Sequence, residues 1–300
     1  MARSGTPATT AGTAVNNTAT INYTVGTVAQ PQVTSNTASF LVDKRINLTV
    51  AELGGASTVS SPGSVNQVTT FTVTNTTNAV SDFKLVATQD GGGTTAFSDT
   101  DDFNANNVRV YVDNGDGIFN AAQDTATFID ELAADASVTV FVVVDIPVGQ
   151  ADQSTAGFTL TATAANPGTA GTLGADTAQT AGADTPGAVD VVFGDGAGDT
   201  DAARDGKFSD DDEYDVAAAT ITFVKTSKVI SDPFNLTSNP KAIPGAVMEY
   251  CLAVTNSGSV PATGVSFADA IPANTTFLTN SLVGGGSISG GVCDATGAAE

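Results

Sequence analysis

The chain has 300 residues, 41% of them hydrophobic, enough to bury two or three cores. Its 10 basic and 32 acidic residues give a net charge of −22, a surface that repels nucleic acid and anionic lipid. Histidine is absent, which excludes Ser/His/Asp and Cys/His catalysis and removes the commonest general base and metal ligand.

Other enzyme signals are weak. Carboxylates are plentiful, but a sugar-cleaving site also needs an aromatic platform, and there is no Trp and only 4 Tyr. The triplets Gly91-Gly92-Gly93 and Gly284-Gly285-Gly286 lack the Lys-Ser/Thr of a phosphate loop and read as turns. A non-enzymatic protein is expected. No stretch has the length and hydropathy of a membrane-spanning helix. The opening residues, MARSGTPATT, hold no apolar export core, so localisation must be read from the modules; if those are extracellular, an export leader has been removed.

Residues 1–45 read as an N-terminal β-hairpin. VNNTATINY (15–23) is echoed by TSNTASFLV (34–42), with Gly26 and Pro31 in the connection. Val15, Ile21 and Val25 on one strand and Val33, Phe40 and Val42 on the other need a surface to cover, because two strands alone are marginal in water. That surface is either the next domain of the same chain or another molecule that accepts the hairpin as an assembly strand.

Residues 46–165 read as a first Ig-like β-sandwich. Ile46, Leu48 and Val50 alternate, and 70–75 (TFTVTN), 83–86 (FKLV), 108–112 (VRVYV) and 158–163 (FTLTAT) follow as strands. The run 138–146 (VTVFVVVDI) is almost continuously apolar, as a central strand can be. DELAAD (130–135) reads as a short helical turn or a polar loop. Residues 166–220 read as a Gly/Asp-rich extension with one or two strands, and its acidic run 194–215 as a long loop.

Two acidic constellations point to calcium. In YVDNGDGIFNAAQDT (111–125), Asn114, Asp116, Gly117, Ile118 and Asn120 match interior positions of a calcium loop. Asp113 and Asp124 each fall one place late. Clustered Asp and Asn supply the oxygens that calcium wants, and Gly permits the sharp turn. A plain Asn-Gly/Asp-Gly hairpin turn accounts for the same residues. The second constellation is the run of Asp195, Asp199, Asp201, Asp205, Asp210, Asp211, Asp212 and Asp215, which either binds calcium or stays a solvated loop.

Residues 221–300 read as a C-terminal module, with an alternating strand at 247–255, turns at 256–259 and 271–274, and a further strand beginning at 265–267. Lys225, Pro244-Gly245, Tyr250, Val254-Thr255-Asn256-Ser257-Gly258, Asp269, Ile271-Pro272-Ala273 and Phe277 occur in an order that resembles a conserved Ig-like repeat. That repeat, domain of unknown function eleven, is found in bacterial and archaeal cell-surface proteins. The resemblance implies an extracellular β-sandwich and a structural role, with no catalytic residues. Pro62-Gly63-Ser64-Val65 before the strand at 70–75 echoes Pro244-Gly245-Ala246-Val247, so the first domain reads as a divergent cousin. For a secreted module, Cys251 and Cys293 are expected to form a disulfide; two buried thiols are the alternative.

The expected architecture is therefore all-β: tandem Ig-like β-sandwich modules preceded by an N-terminal hairpin. Five or six strands can be placed in the last module where a full sandwich takes about seven, so it reads as incomplete. The expected function is an extracellular filament subunit that assembles with copies of itself by strand donation and is stiffened by calcium. The alternative is a monomeric surface adhesin or carbohydrate-binding stalk module.

Overall fold

The computed structural model describes residues 9–285 and the backbone of two short strands, Ser287–Ser289 and Val292–Asp294. The fold is all-β, with no helix among the described residues. The chain divides into two compact units, Met1–Gln150 with Ser154–Val216, and Ala151–Gln153 with Ala217–Glu300.

The first unit begins with an interrupted hairpin of strands β1 (Ala14–Asn17), β2 (Thr20–Ile21), β3 (Thr24–Val25), β4 (Val28–Ala29), β5 (Val33–Thr34) and β6 (Ala38–Leu41). Strand β1 pairs with β6, β2 with β5 and β3 with β4, all antiparallel. Gly26, at φ 62°, allows the two-residue turn between Val25 and Val28. The base is tied down by Asn78, whose Nδ2 donates to the carbonyls of Thr9 (3.0 Å) and Asp43 (2.8 Å). Beyond that base the strands are exposed apart from Leu41, so the hairpin does not cover the core of its own unit.

The rest of the unit consists of β7 (Lys44–Ile46), β8 (Leu48–Glu52), β9 (Thr58–Ser60), β10 (Gln67–Asn75), β11 (Ser81–Gln89), β12 (Asn106–Val112), β13 (Phe128–Leu132), β14 (Ser137–Asp145), β15 (Thr155–Ala165), β16 (Val191–Phe193) and β17 (Lys207–Val216). One sheet has the order β12-β14-β10-β8 and the facing sheet β13-β11-β15-β17-β9; β16 pairs with β7 apart from them. Alternation puts Leu48, Val50, Phe71, Val73, Val140 and Val142 inside from the first sheet. The second contributes Phe83, Leu85, Phe158, Leu160 and Tyr214. Burying each such side chain contributes about 1.5–3 kcal/mol. Tyr214 spans the two sheets, its hydroxyl donating to the carbonyls of Val142 (2.9 Å) and Gln67 (3.2 Å) while its ring meets Phe158 edge-on.

Strand β14 is buried on both faces from Val140 to Val144. The loop after β12 explains this, because its Phe119 lies on Phe141 (5.8 Å) and Tyr111 (5.3 Å) outside the sheet.

Two sequence expectations are corrected here. Residues 130–135 are not a helical turn: β13 covers their first half as an edge strand, bulged against β11 where Glu131 takes φ 48°. The acidic run 194–215 is not a single loop, since its second half is β17, paired over nine residues with β15. The first unit accordingly runs through Val216. The acids concealed a period of two in which Asp212, Tyr214 and Val216 are buried, Tyr214 reaching across to Val142 of the facing sheet.

In the second unit, β18 (Ile221–Ser231) and β19 (Val247–Asn256) form a long antiparallel ribbon, and β20 (Ser287–Ser289) pairs with β21 (Val292–Asp294). Asp232 shapes the connection between β18 and β19, accepting from the backbone N–H groups of Phe234, Asn235 and Lys241; those bonds hold its pKa down at about 2. Residues 265–267, expected to begin a strand, join no ladder among the described residues and are exposed; Phe267 lies against Phe223 instead, their ring centroids 6.2 Å apart. Three residues of the repeat-like pattern do meet. Lys225 pairs with Asp269 at 2.7 Å and lies 4.7 Å over the Tyr250 ring. Cys251 is 7% exposed and is not a free thiol; the side chain of Cys293 lies outside the described residues.

Candidate metal centre

The first acidic constellation occupies the loop that carries Phe119. Asp124, 1% exposed, accepts from the N–H groups of Asn114 (3.0 Å) and Asn120 (2.6 Å). The Asp113 carboxylate accepts from Gly117 N–H, Asn114 Oδ1 from Asp116, Asp116 Oδ1 from Ile118 and Asn120 Oδ1 from Ala122. These are short Asx contacts that hold the loop's own backbone. Asp113, Asp116 and Asp124 do not form one of the carboxylate trios whose oxygens lie within 4.8 Å of one another.

The second constellation is split by the fold. Asp195 is buried and accepts from Asp205 and Gly206 N–H. Asp201 accepts from Gly198 N–H and the Ser209 hydroxyl, and Asp205 from Lys207 N–H. Of this run, Asp199, Asp210 and Asp211 bring carboxylate oxygens within 4.8 Å of one another. Burial, a hydrogen bond with Asp199, and the charges of Asp199 and Asp210 push the Asp211 carboxyl up to about 7.

Strand β17 assembles a further group. Asp211, Glu213 and Asp215 stand on its outward face, successive side chains roughly 7 Å apart. The loop 90–102, between β11 and β12, covers the middle of that row. Its Asp99 brings a carboxylate oxygen within 4.8 Å of those of Glu213 and Asp215. Glu213 is 0% exposed; its Oε2 accepts from Phe97 N–H at 3.2 Å, and its Oε1 has no hydrogen-bond partner. The Thr95 hydroxyl lies beside this carboxyl and favours its charged form without meeting hydrogen-bond geometry. Burial outweighs it and raises the Glu213 pKa, helped by the charges of Asp215 and Asp99. Asp215 accepts from the hydroxyls of Ser57 and Thr155. The ion pairs among the described residues, Arg109–Asp145 and Lys225–Asp269, involve none of these acids.

Asp99, Glu213 and Asp215 were not singled out as a group from the sequence. The available signal was the spacing of acids at 211, 213 and 215, which shares a face only if the run is a strand. Asp99 comes from more than a hundred residues earlier, and nothing local announces it. A third trio, Asp43, Asp184 and Asp190, sits near β7 and β16, where Asp43 accepts from Asp190 N–H. All three trios offer only oxygen, which suits a hard cation.

The expected assembly residues are placed as follows. Val15 pairs with Phe40 and Ile21 with Val33 across the hairpin. Together with Val25 they are 37–62% exposed, while Val42 is half-buried at the base. No helix among the described residues is long and apolar enough to cross a membrane. Comparison with protein-family models, curated proteins and solved structures finds no match.

Proposed function

We propose that the chain is an extracellular structural subunit that polymerises head-to-tail, the N-terminal hairpin of one copy adding to the β18–β19 ribbon of the next. The observation that carries this reading is a matched surplus of apolar surface and open edge. The hairpin exposes Val15, Ile21, Val25, Val33 and Phe40. Among the described residues the ribbon is two-stranded and neither outer edge has a ladder partner, and it exposes Ile221, Phe223, Val224 and Val254. An added strand satisfies backbone groups and covers side chains in one step. A contact between two different surfaces of the same molecule propagates instead of closing. The resemblance of residues 225–277 to the cell-surface repeat supports a bacterial-type surface or extracellular setting, as does the acidic composition.

Deletion of residues 1–42 tests the reading. The full chain is expected to form filaments by negative-stain microscopy, and the truncated chain to stay dispersed. Filaments without the hairpin, or a full chain that stays monomeric at high concentration, would count against strand donation.

A further inference from the structure

We infer that Asp99, Glu213 and Asp215 form a calcium site that fastens the loop 90–102 to strand β17. The three carboxylates offer oxygens within 4.8 Å of one another. Calcium accepts six to eight oxygens in irregular geometry, whereas magnesium demands a near-ideal octahedron, keeps several of its waters and is usually held by one or two carboxylates; three carboxylates therefore favour calcium. The donors are all hard oxygens, with no nitrogen or sulfur to favour a transition metal.

Glu213 sets this trio apart from other acidic clusters. It is 0% exposed, and its Oε1 accepts no hydrogen bond. A buried carboxylate is stable only with a proton, a counter-charge or a full set of donors. Here the donors are incomplete and the charged neighbours are acids, Asp215 and Asp99. A divalent cation supplies the missing charge and takes the idle oxygen as a ligand. The loop of residues 113–124 has no such vacancy, because Asp124 already accepts two backbone N–H groups. The Asp199–Asp210–Asp211 trio is only half-buried to exposed, and none of its oxygens is buried without a partner.

The site lies within the first unit and stands or falls separately from head-to-tail assembly. The test uses the full chain stripped with EDTA, titrated with calcium chloride and in parallel with magnesium chloride. Heat of binding, thermal unfolding and proteolysis of the loop 90–102 are followed. Calcium is expected to raise the melting temperature of the first unit and to slow cleavage in that loop. Asp99→Asn changes an exposed residue and leaves the fold intact; it is expected to weaken binding about tenfold or more. Glu213→Gln keeps the shape of the side chain and is expected to abolish the response, while Asp116→Asn, in the other loop, keeps it. The inference is overturned if calcium leaves wild-type melting and cleavage unchanged, if Asp99→Asn responds like wild type, or if magnesium acts as strongly as calcium.

Discussion

Gly157 of β15 and Glu213 of β17 are cross-strand partners, and the side chain that one lacks allows the other to be buried. A Cβ on Gly157 would collide with the Asp90 carboxylate and the Thr95 methyl. Without it, the loop 90–102 rests directly on the sheet and Phe97 N–H reaches Glu213. Gly157→Ala is expected to lift the loop and destabilise the first unit by about 1–3 kcal/mol, the usual penalty of overpacking. Faster proteolysis within 90–102 and a lower melting temperature check it. A variant that cleaves and melts like wild type would show that this contact does not hold the loop.

The strands of the first unit were legible where apolar residues alternate, as at Phe71 and Val73, or run together, as from Val140 to Val144. They were not legible where acids occupy strand positions. Asp211, Asp212 and Glu213 look like a solvated loop because propensity disfavours acids in strands, yet they pair with Thr159, Phe158 and Gly157 of β15. Tyr214 and Val216 were the anchoring residues, and their spacing of two was the usable clue. The calcium-like loop was found in sequence as a motif. What its oxygens bind was hidden, because Asx turns and metal loops draw on the same Asp, Asn and Gly. The trio around Glu213 is non-local, built from β17 and a distant loop. In the second unit the alternation at 247–255 marked β19 but not its pairing with β18, and the strand expected at residues 265–267 has no ladder partner among the described residues.

The acidic row predicts an unusual pH dependence. Burial pushes the Asp212 carboxyl up to about 7, and Asp211 rises to the same value. Their ordinary value is 3.8. The folded state therefore holds these protons more tightly than the unfolded state does. That contribution is fully present below about pH 4 and is lost as pH rises through about 7. Asp232 acts the other way: its pKa is lowered to about 2, so its contribution disappears only as pH falls from about 4 toward 2. With no histidine to titrate between, the metal-free protein is expected to melt several degrees lower at pH 8 than at pH 5. Asp212→Asn, which cannot ionise, is expected to flatten that slope. An unchanged slope in this variant would remove Asp212 from the explanation.

Asp124 supports a different loop. Its carboxylate accepts from Asn114 and Asn120 N–H and fixes the turn that sets Phe119 on Phe141. Asp124→Ala leaves both donors without that acceptor and is expected to cost about 1–3 kcal/mol. Near-ultraviolet circular dichroism reports on it, because the Tyr111 ring lies 5.3 Å from Phe119 and is expected to lose its fixed environment. An intact tyrosine band with unchanged melting would mean that the loop is held by its other Asx contacts.

The assembly reading makes a prediction at single residues. Phe40 and Ile21 are both 60% exposed and contribute nothing to the core of their own subunit. Phe40→Asp and Ile21→Asp are therefore expected to leave the melting temperature of the isolated chain unchanged, as exposed substitutions shift stability by only about 0.5 kcal/mol. In a donated strand the same residues would be buried against the next copy, where an unpaired carboxylate is strongly unfavourable. Either substitution is then expected to abolish filaments without unfolding the subunit. Phe223→Asp, on the exposed face of the ribbon, should have the same effect from the accepting side. Mixing the two kinds of variant gives the discriminating result. A hairpin variant still carries an intact ribbon and a ribbon variant an intact hairpin, so the pair is expected to form short, capped complexes visible by light scattering. If Phe40→Asp filaments are as long as those of wild type, the hairpin is not the donor.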